Sequence, residues 1–158
     1  MNKIVYNCCY GGFGLSVKAI IEIFKRKYNK KLFFYKKTDE SLYKSWDDEE
    51  FERISEEQAI LLDKKGEVIY ITRNDCGDIL RKKDPIFDKF QDGHVWEATI
   101  ERHDPILVEV VEELGPEANG HYADLKVFET ESDRYRIDEY DGAESVVTPE
   151  MEQYILIK

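Results

Sequence analysis

Three glycines in four positions, Gly11, Gly12 and Gly14, separate two hydrophobic rhythms that no single element can hold. Before them, Lys3-Ile4-Val5-Tyr6-Asn7 has β-branched residues at its centre and reads as a short strand. After them, Val17, Ile20, Ile21, Phe24 and Tyr28 recur at helical spacing and mark one face of a helix. Ser16 stands where an N-cap is needed. Lys25, Arg26 and Lys27 gather at the far end of that helix, where cations complement the macrodipole. Glycine tolerates positive φ and close backbone approach, so the chain has a strand, a tight connection and a helix within its first 28 residues.

A second helix is punctuated even more sharply. Asp104 can cap a first turn, and Pro105 suits the first helical position. Ile106, Leu107, Val110, Val111 and Leu114 form the apolar face, and Gly115-Pro116 stops the helix. Strands are expected at Leu32–Tyr35, Glu67–Thr72, Val95–Ile100, Leu125–Glu129 and Tyr135–Glu139. Asp141-Gly142 is a hairpin turn leading into Ser145-Val146-Val147. Pro85 breaks any long helix through 79–92. Residues 38–58 read as an acidic insertion with a short helix near Asp48–Ile54. The apolar tail Tyr154–Ile157 is expected to be an edge strand or a homo-oligomer contact. At 158 residues the chain is expected to form one domain, 1–158. The expected fold class is α+β, a mostly antiparallel sheet with two amphipathic helices packed against it.

Charge narrows the function. Residues 1–37 carry nine Lys/Arg and one acid, 38–103 ten and eighteen, and 104–158 four and fifteen. The total is −11, which disfavours nonspecific nucleic acid and anionic lipid, because both need their phosphates neutralised. A local basic site beside the first helix stays compatible with this. No apolar run is long enough for a membrane span, and the first residues contain no signal-peptide core. Three cysteines, two of them adjacent, do not make a disulfide framework, so a reducing cytoplasm is expected.

The chemistry-bearing candidates are few. A glycine-rich turn before a helix can offer backbone N–H groups to a phosphate, although neither the dinucleotide fingerprint nor the P-loop is present. The candidate ligand-binding set is Tyr10, Gly11, Gly12, Phe13, Gly14, Ser16, Arg102 and His103. The glycines would supply donors, Arg102 and His103 charge, and Tyr10 or Phe13 a stacking surface. The plainer alternatives are geometric glycines, and solvated Arg102 and His103 beside a capping Asp104. Cys8 or Cys9 could act as a nucleophile if a helix dipole lowered its pKa, with His94, His103 or His121 as base. The cysteine spacing does not fit zinc, and neither a metal nor a cofactor is expected.

Three stretches carry a resemblance: Lys3–Asn7 running into Cys9-Tyr10-Gly11-Gly12-Phe13-Gly14-Leu15-Ser16; Arg102-His103-Asp104-Pro105 running through Leu107–Gly115; and Glu139-Tyr140-Asp141-Gly142-Ala143-Glu144. Together they resemble an uncharacterised family of small proteins encoded by bacteriophages and some large DNA viruses. The match covers residues 1–28 and 99–145; Cys8 and the acidic insertion depart from its pattern. The resemblance implies a viral accessory protein acting in the cytoplasm of an infected bacterial host. Three classes of role stand as expectations. One is non-catalytic, counter-defence binding of a small phosphate-bearing ligand such as a nucleotide signal. Another is inhibition by an acidic surface docked on a host or defence protein. A cysteine-dependent enzyme is the third.

Overall fold

The computed structural model describes residues 1–39, 48–95, 97–152 and 157. Among these residues are four α-helices and eight strands, all paired antiparallel, which makes the fold α+β. The chain gathers into two compact units: Met1–Ile23 with Glu97–Lys158, and Phe24–Trp96. No helix among the described residues is long and apolar enough to cross a membrane.

In the first unit, β1 (Asn2–Asn7) pairs with β6 (Leu125–Thr130), from Asn2 opposite Thr130 to Asn7 opposite Leu125. Ile4 and Val5 turn into the core, where α4 (Pro105–Leu114) buries Leu107, Val108, Val110 and Val111. The punctuation of α4 is as expected. Asp104 Oδ1 accepts from the N–H groups of Ile106 and Leu107, and Gly115 turns the chain at φ +57°. The hairpin of β7 (Arg136–Tyr140) and β8 (Ala143–Val147) closes through Asp141 and Gly142, both at positive φ. That is the mirror-image turn whose twist matches the flanking strands. Strand β8 packs beside β1. The helix α1 (Val17–Tyr28) starts in this unit, and the unit boundary falls within it at Ile23/Phe24. Its most buried positions are Ala19 and Ile23, between the expected Val17, Ile20 and Phe24.

The second unit is a four-stranded sheet in the order β4 (Tyr70–Thr72), β2 (Phe33–Lys37), β3 (Glu50–Ile54), β5 (Ile79–Arg81). Helices α2 (Glu56–Lys64) and α3 (Ile86–Asp92) complete it. Its core is aromatic: Tyr35, Phe51 and Phe90, with Cys76 and Leu80. The rings of Phe51, Phe87 and Phe90 stack with centroids 5.6–6.2 Å apart. The Tyr35 hydroxyl, buried beneath them, donates to Gly77 O and accepts from Cys76 N.

Several local expectations are corrected here. The short helix near Asp48–Ile54 is instead β3, an inner strand. Its acidic residues meet cations across the sheet, Glu52 with Lys36 at 3.4 Å and Glu50 with Arg81 at 3.2 Å. Cross-strand ion pairs of this kind let a charged segment serve as a strand. Within the expected strand Val95–Ile100, Glu97–Thr99 is instead a 3₁₀ turn. Only Tyr70–Thr72 of the expected Glu67–Thr72 strand pairs. There are two further helices, α2 and α3, and α2 is opened by a Ser55/Gln58 capping box. Part of the expected insertion (40–47) and most of the apolar tail (154–156) lie outside the described residues.

Candidate functional site

At the end of β1 three loops of the first unit meet: 8–14, 119–124 and 141–144. The residue that joins them is Asn7, which is fully buried. Its Nδ2 donates to Cys9 O at 2.8 Å and to Gly142 O at 2.9 Å. Its Oδ1 accepts from Asp124 N at 2.8 Å, and its own N–H donates to Glu144 Oε1 at 2.8 Å. One amide side chain thus satisfies backbone groups from all three loops, as a buried polar group must.

The glycines let these loops touch. A Cβ on Gly11 would sit 1.8 Å from Tyr122 O, and one on Gly142 would sit 2.4 Å from Tyr10 O. Gly14 O accepts from Gly120 N at 2.9 Å, and Gly12 has φ +92°. The space that glycine opens at Gly11 and Gly142 is therefore occupied by the protein's own backbone. Ser16 caps α1: its Oγ accepts from Ala19 N and donates to Glu117 O at 2.6 Å.

Arg102 joins this cluster. Its guanidinium lies 3.6 Å above the centroid of the Phe13 ring and forks onto Glu144, at 2.6 Å and 2.8 Å. The Glu144 side chain is only 6% exposed. Burial alone would raise its pKa, but the bonds from Arg102 and from Asn7 N–H outweigh burial and hold the carboxyl below its ordinary value. The neighbouring His103 is not part of this arrangement. Its Nδ1 is 2.8 Å from the Tyr135 hydroxyl, beside a cleft of about 320 Å³ lined by Asn2, Lys3, Arg134 and Tyr135. The structure thus gathers Tyr10, Gly11, Gly12, Phe13, Gly14 and Arg102 at one junction and places His103 elsewhere.

Two of the three cysteines, Cys8 and Cys76, have raised thiol pKa values. Cys8 Sγ donates to Asp124 Oδ2 at 3.4 Å, and burial together with that carboxylate raises its pKa. Cys9 Sγ donates to Tyr122 O. Burial likewise raises the Cys76 thiol. No group of three or more metal-capable side chains is assembled among the described residues.

What the junction shows to solvent is aromatic. Tyr10 and Tyr122, on two of the joined loops, and Tyr140, the last residue of β7 before the third, are 71%, 78% and 79% exposed. Sequence reasoning picked out Tyr10 but missed Tyr122, and it missed Asn7 altogether. An Asn ending a strand just before a glycine-rich turn was the signal available for Asn7.

By fold and site the chain is an α+β protein with a hydrogen-bonded loop junction on its first unit. No family model matches it, and neither the curated proteins nor the solved structures contain a significant match.

Proposed function

We propose that this chain is a non-enzymatic binding protein that docks on a basic protein partner through the tyrosine-bearing loops of its first unit. The observation that carries this reading is the set of three exposed tyrosines held by loops whose own backbones are locked together. Large, stiff aromatic side chains on a preorganised base are the usual energetic centres of protein interfaces. The surrounding charge fits a basic partner: this unit holds seven Lys/Arg against eighteen Asp/Glu. The family resemblance supplies the setting, a viral accessory protein in the cytoplasm of an infected bacterium, directed at a host or defence protein.

Binding of a phosphate-bearing ligand would use the same loops at a higher cost. Arg102 would have to exchange Glu144 for the phosphate, leaving a buried carboxylate without its partner. Breaking a buried pair in this way costs roughly 3–5 kcal/mol. The backbone at Gly11 and Gly142 is also closed, by Tyr122 and Tyr10, which leaves Gly12 as the open glycine of the turn.

Native mass spectrometry separates the two. The purified protein is expected at its bare chain mass, and a partner protein is expected to co-purify at low salt and dissociate as salt rises. Replacing Tyr10, Tyr122 and Tyr140 together by Ala should abolish that complex. A retained mass of a few hundred daltons, lost on denaturation, would overturn the docking reading in favour of the small ligand.

A further inference from the structure

The second unit carries a feature that the docking reading does not use. Lys25-Arg26-Lys27-Tyr28-Asn29-Lys30-Lys31 places five cations in seven residues, and all seven are exposed. The run covers the last turn of α1 and the reversal after it, where Asn29 takes φ +50°. The macrodipole accounts for only part of this. Its effect fades within the last helical turn, and Lys30 and Lys31 lie beyond it. In the strand that follows, Lys36 is matched with Glu52 and Lys37 with Glu49. Among the described residues no ion pair holds Lys25, Lys30 or Lys31. Residues 1–37 contain one acid, Glu22. Five like charges held this close, Arg26 and Lys27 with partners of their own, repel one another, a cost that an anionic ligand would relieve.

An aromatic ring stands within the run. Tyr28 is 50% exposed and is braced from behind by the buried Phe24, at a centroid distance of 5.2 Å. Lys27 Nζ lies 5.6 Å from its ring. Beside the run, Lys31 and Arg53 lie over the ring of Phe33. Cations that follow a backbone, with a ring on which a base can stack, are the two components of single-strand binding. A lipid surface is the poorer fit, because α1 buries Ala19, Ile20, Ile23 and Phe24 and has no apolar face left to insert. The whole-chain charge of −11 does not argue against such a site, since the second unit has sixteen Lys/Arg and sixteen Asp/Glu, a net of zero. We infer that the segment Lys25–Lys31 is a binding site for single-stranded nucleic acid, with phosphates on the cations and one base stacked on Tyr28.

The test is fluorescence anisotropy of a labelled twelve-nucleotide oligothymidine with the full chain. Binding is expected at 50 mM salt, weakening by about a hundredfold at 200 mM, as about five neutralised phosphates require. Lys25→Glu, Arg26→Glu and Lys27→Glu together should abolish it, and circular dichroism should show the helix intact. Tyr28→Ala should weaken it by about tenfold, the worth of one stacked base. Absence of binding at 50 mM salt overturns the inference. So does equal affinity for a twelve-base-pair duplex, unchanged affinity in Tyr28→Ala, or binding only to phosphatidylserine vesicles. None of these outcomes bears on the tyrosine loops of the first unit, so the two proposals fail separately.

Discussion

The two units solve the same problem with different materials. The first has a net charge of −11 and locks its loops with a buried amide, Asn7, and a buried ion pair, Arg102–Glu144. The second is neutral in sum and is centred on stacked rings, Phe51, Phe87 and Phe90, in edge contact with the buried Tyr35. Directional polar bonds fix loops at defined positions, because a misplaced partner leaves a buried group unsatisfied. Aromatic burial is less directional and stabilises a sheet whose strands are short, two of them three residues long. The difference teaches where precision is located: the first unit holds exposed side chains in place, while the second holds a platform.

The comparison breaks most readily at the aromatic core. Phe51→Ala should cost about 3–5 kcal/mol, the transfer and cavity cost of a buried phenylalanine. Both tryptophans, Trp46 and Trp96, fall in the second unit's span, so tryptophan fluorescence reports on that unit. Its urea midpoint should fall sharply while amide exchange stays slow in β1 and β6. Simultaneous loss of protection in β1 would mean that the units fold as one body.

The polar junction should be only slightly less sensitive. Arg102→Ala leaves Glu144 buried and uncompensated, at a cost of roughly 3 kcal/mol. The double variant Arg102→Met/Glu144→Leu should recover much of that loss, because an apolar pair of similar volume removes the stranded charge. No recovery would mean that the pair also serves to position the loops. Gly142→Ala should cost about 2 kcal/mol, since its Cβ would strike Tyr10 O and its φ is +89°. Faster amide exchange at Asn7 and Asp124 would show that the loops separate together.

Acid should act on the units at different pH values. His94, in the second unit, has its pKa lowered by burial. The unfolded chain therefore binds a proton first, and this unit loses stability as pH falls below about 6.5. Glu144, in the first unit, is held below its ordinary value by Arg102 and Asn7 against the effect of burial. Its contribution is complete above about pH 4.3 and disappears as pH falls through its lower folded value. Urea midpoints of tryptophan fluorescence should decline from pH 7 to 5, and His94→Gln should flatten that decline. Glu144→Gln should flatten only the more acidic limb of first-unit exchange.

What could be read from the sequence follows the same divide. Local punctuation was legible: Ser16 and Asp104 cap helices, Gly115 ends one, and Asp141-Gly142 turns the hairpin. Those signals act within a few residues. Strand β3 was not legible, because its acidic residues become strand-compatible only opposite Lys36 and Arg81, which are distant in sequence. The role of Asn7 was hidden for the same reason, since its partners lie two, 117 and 135 residues away. Arg102 was picked out for its charge, but its partner Glu144, 42 residues on, could not be inferred from spacing.

The smallest effect on stability belongs to the tyrosines, and it tests what the first unit's rigidity is for. Tyr10, Tyr122 and Tyr140 each expose most of their surface, so replacement by Ser should change the unfolding free energy by no more than about 0.5 kcal/mol. Partner capture should nevertheless fall by tenfold or more for at least one of them, because interface energy concentrates in a few residues. A loss of stability above about 1 kcal/mol at any of the three would make that ring part of the junction's own packing. The polar lock would then be holding itself together rather than presenting a surface, and the contrast between the two units would be one of construction alone.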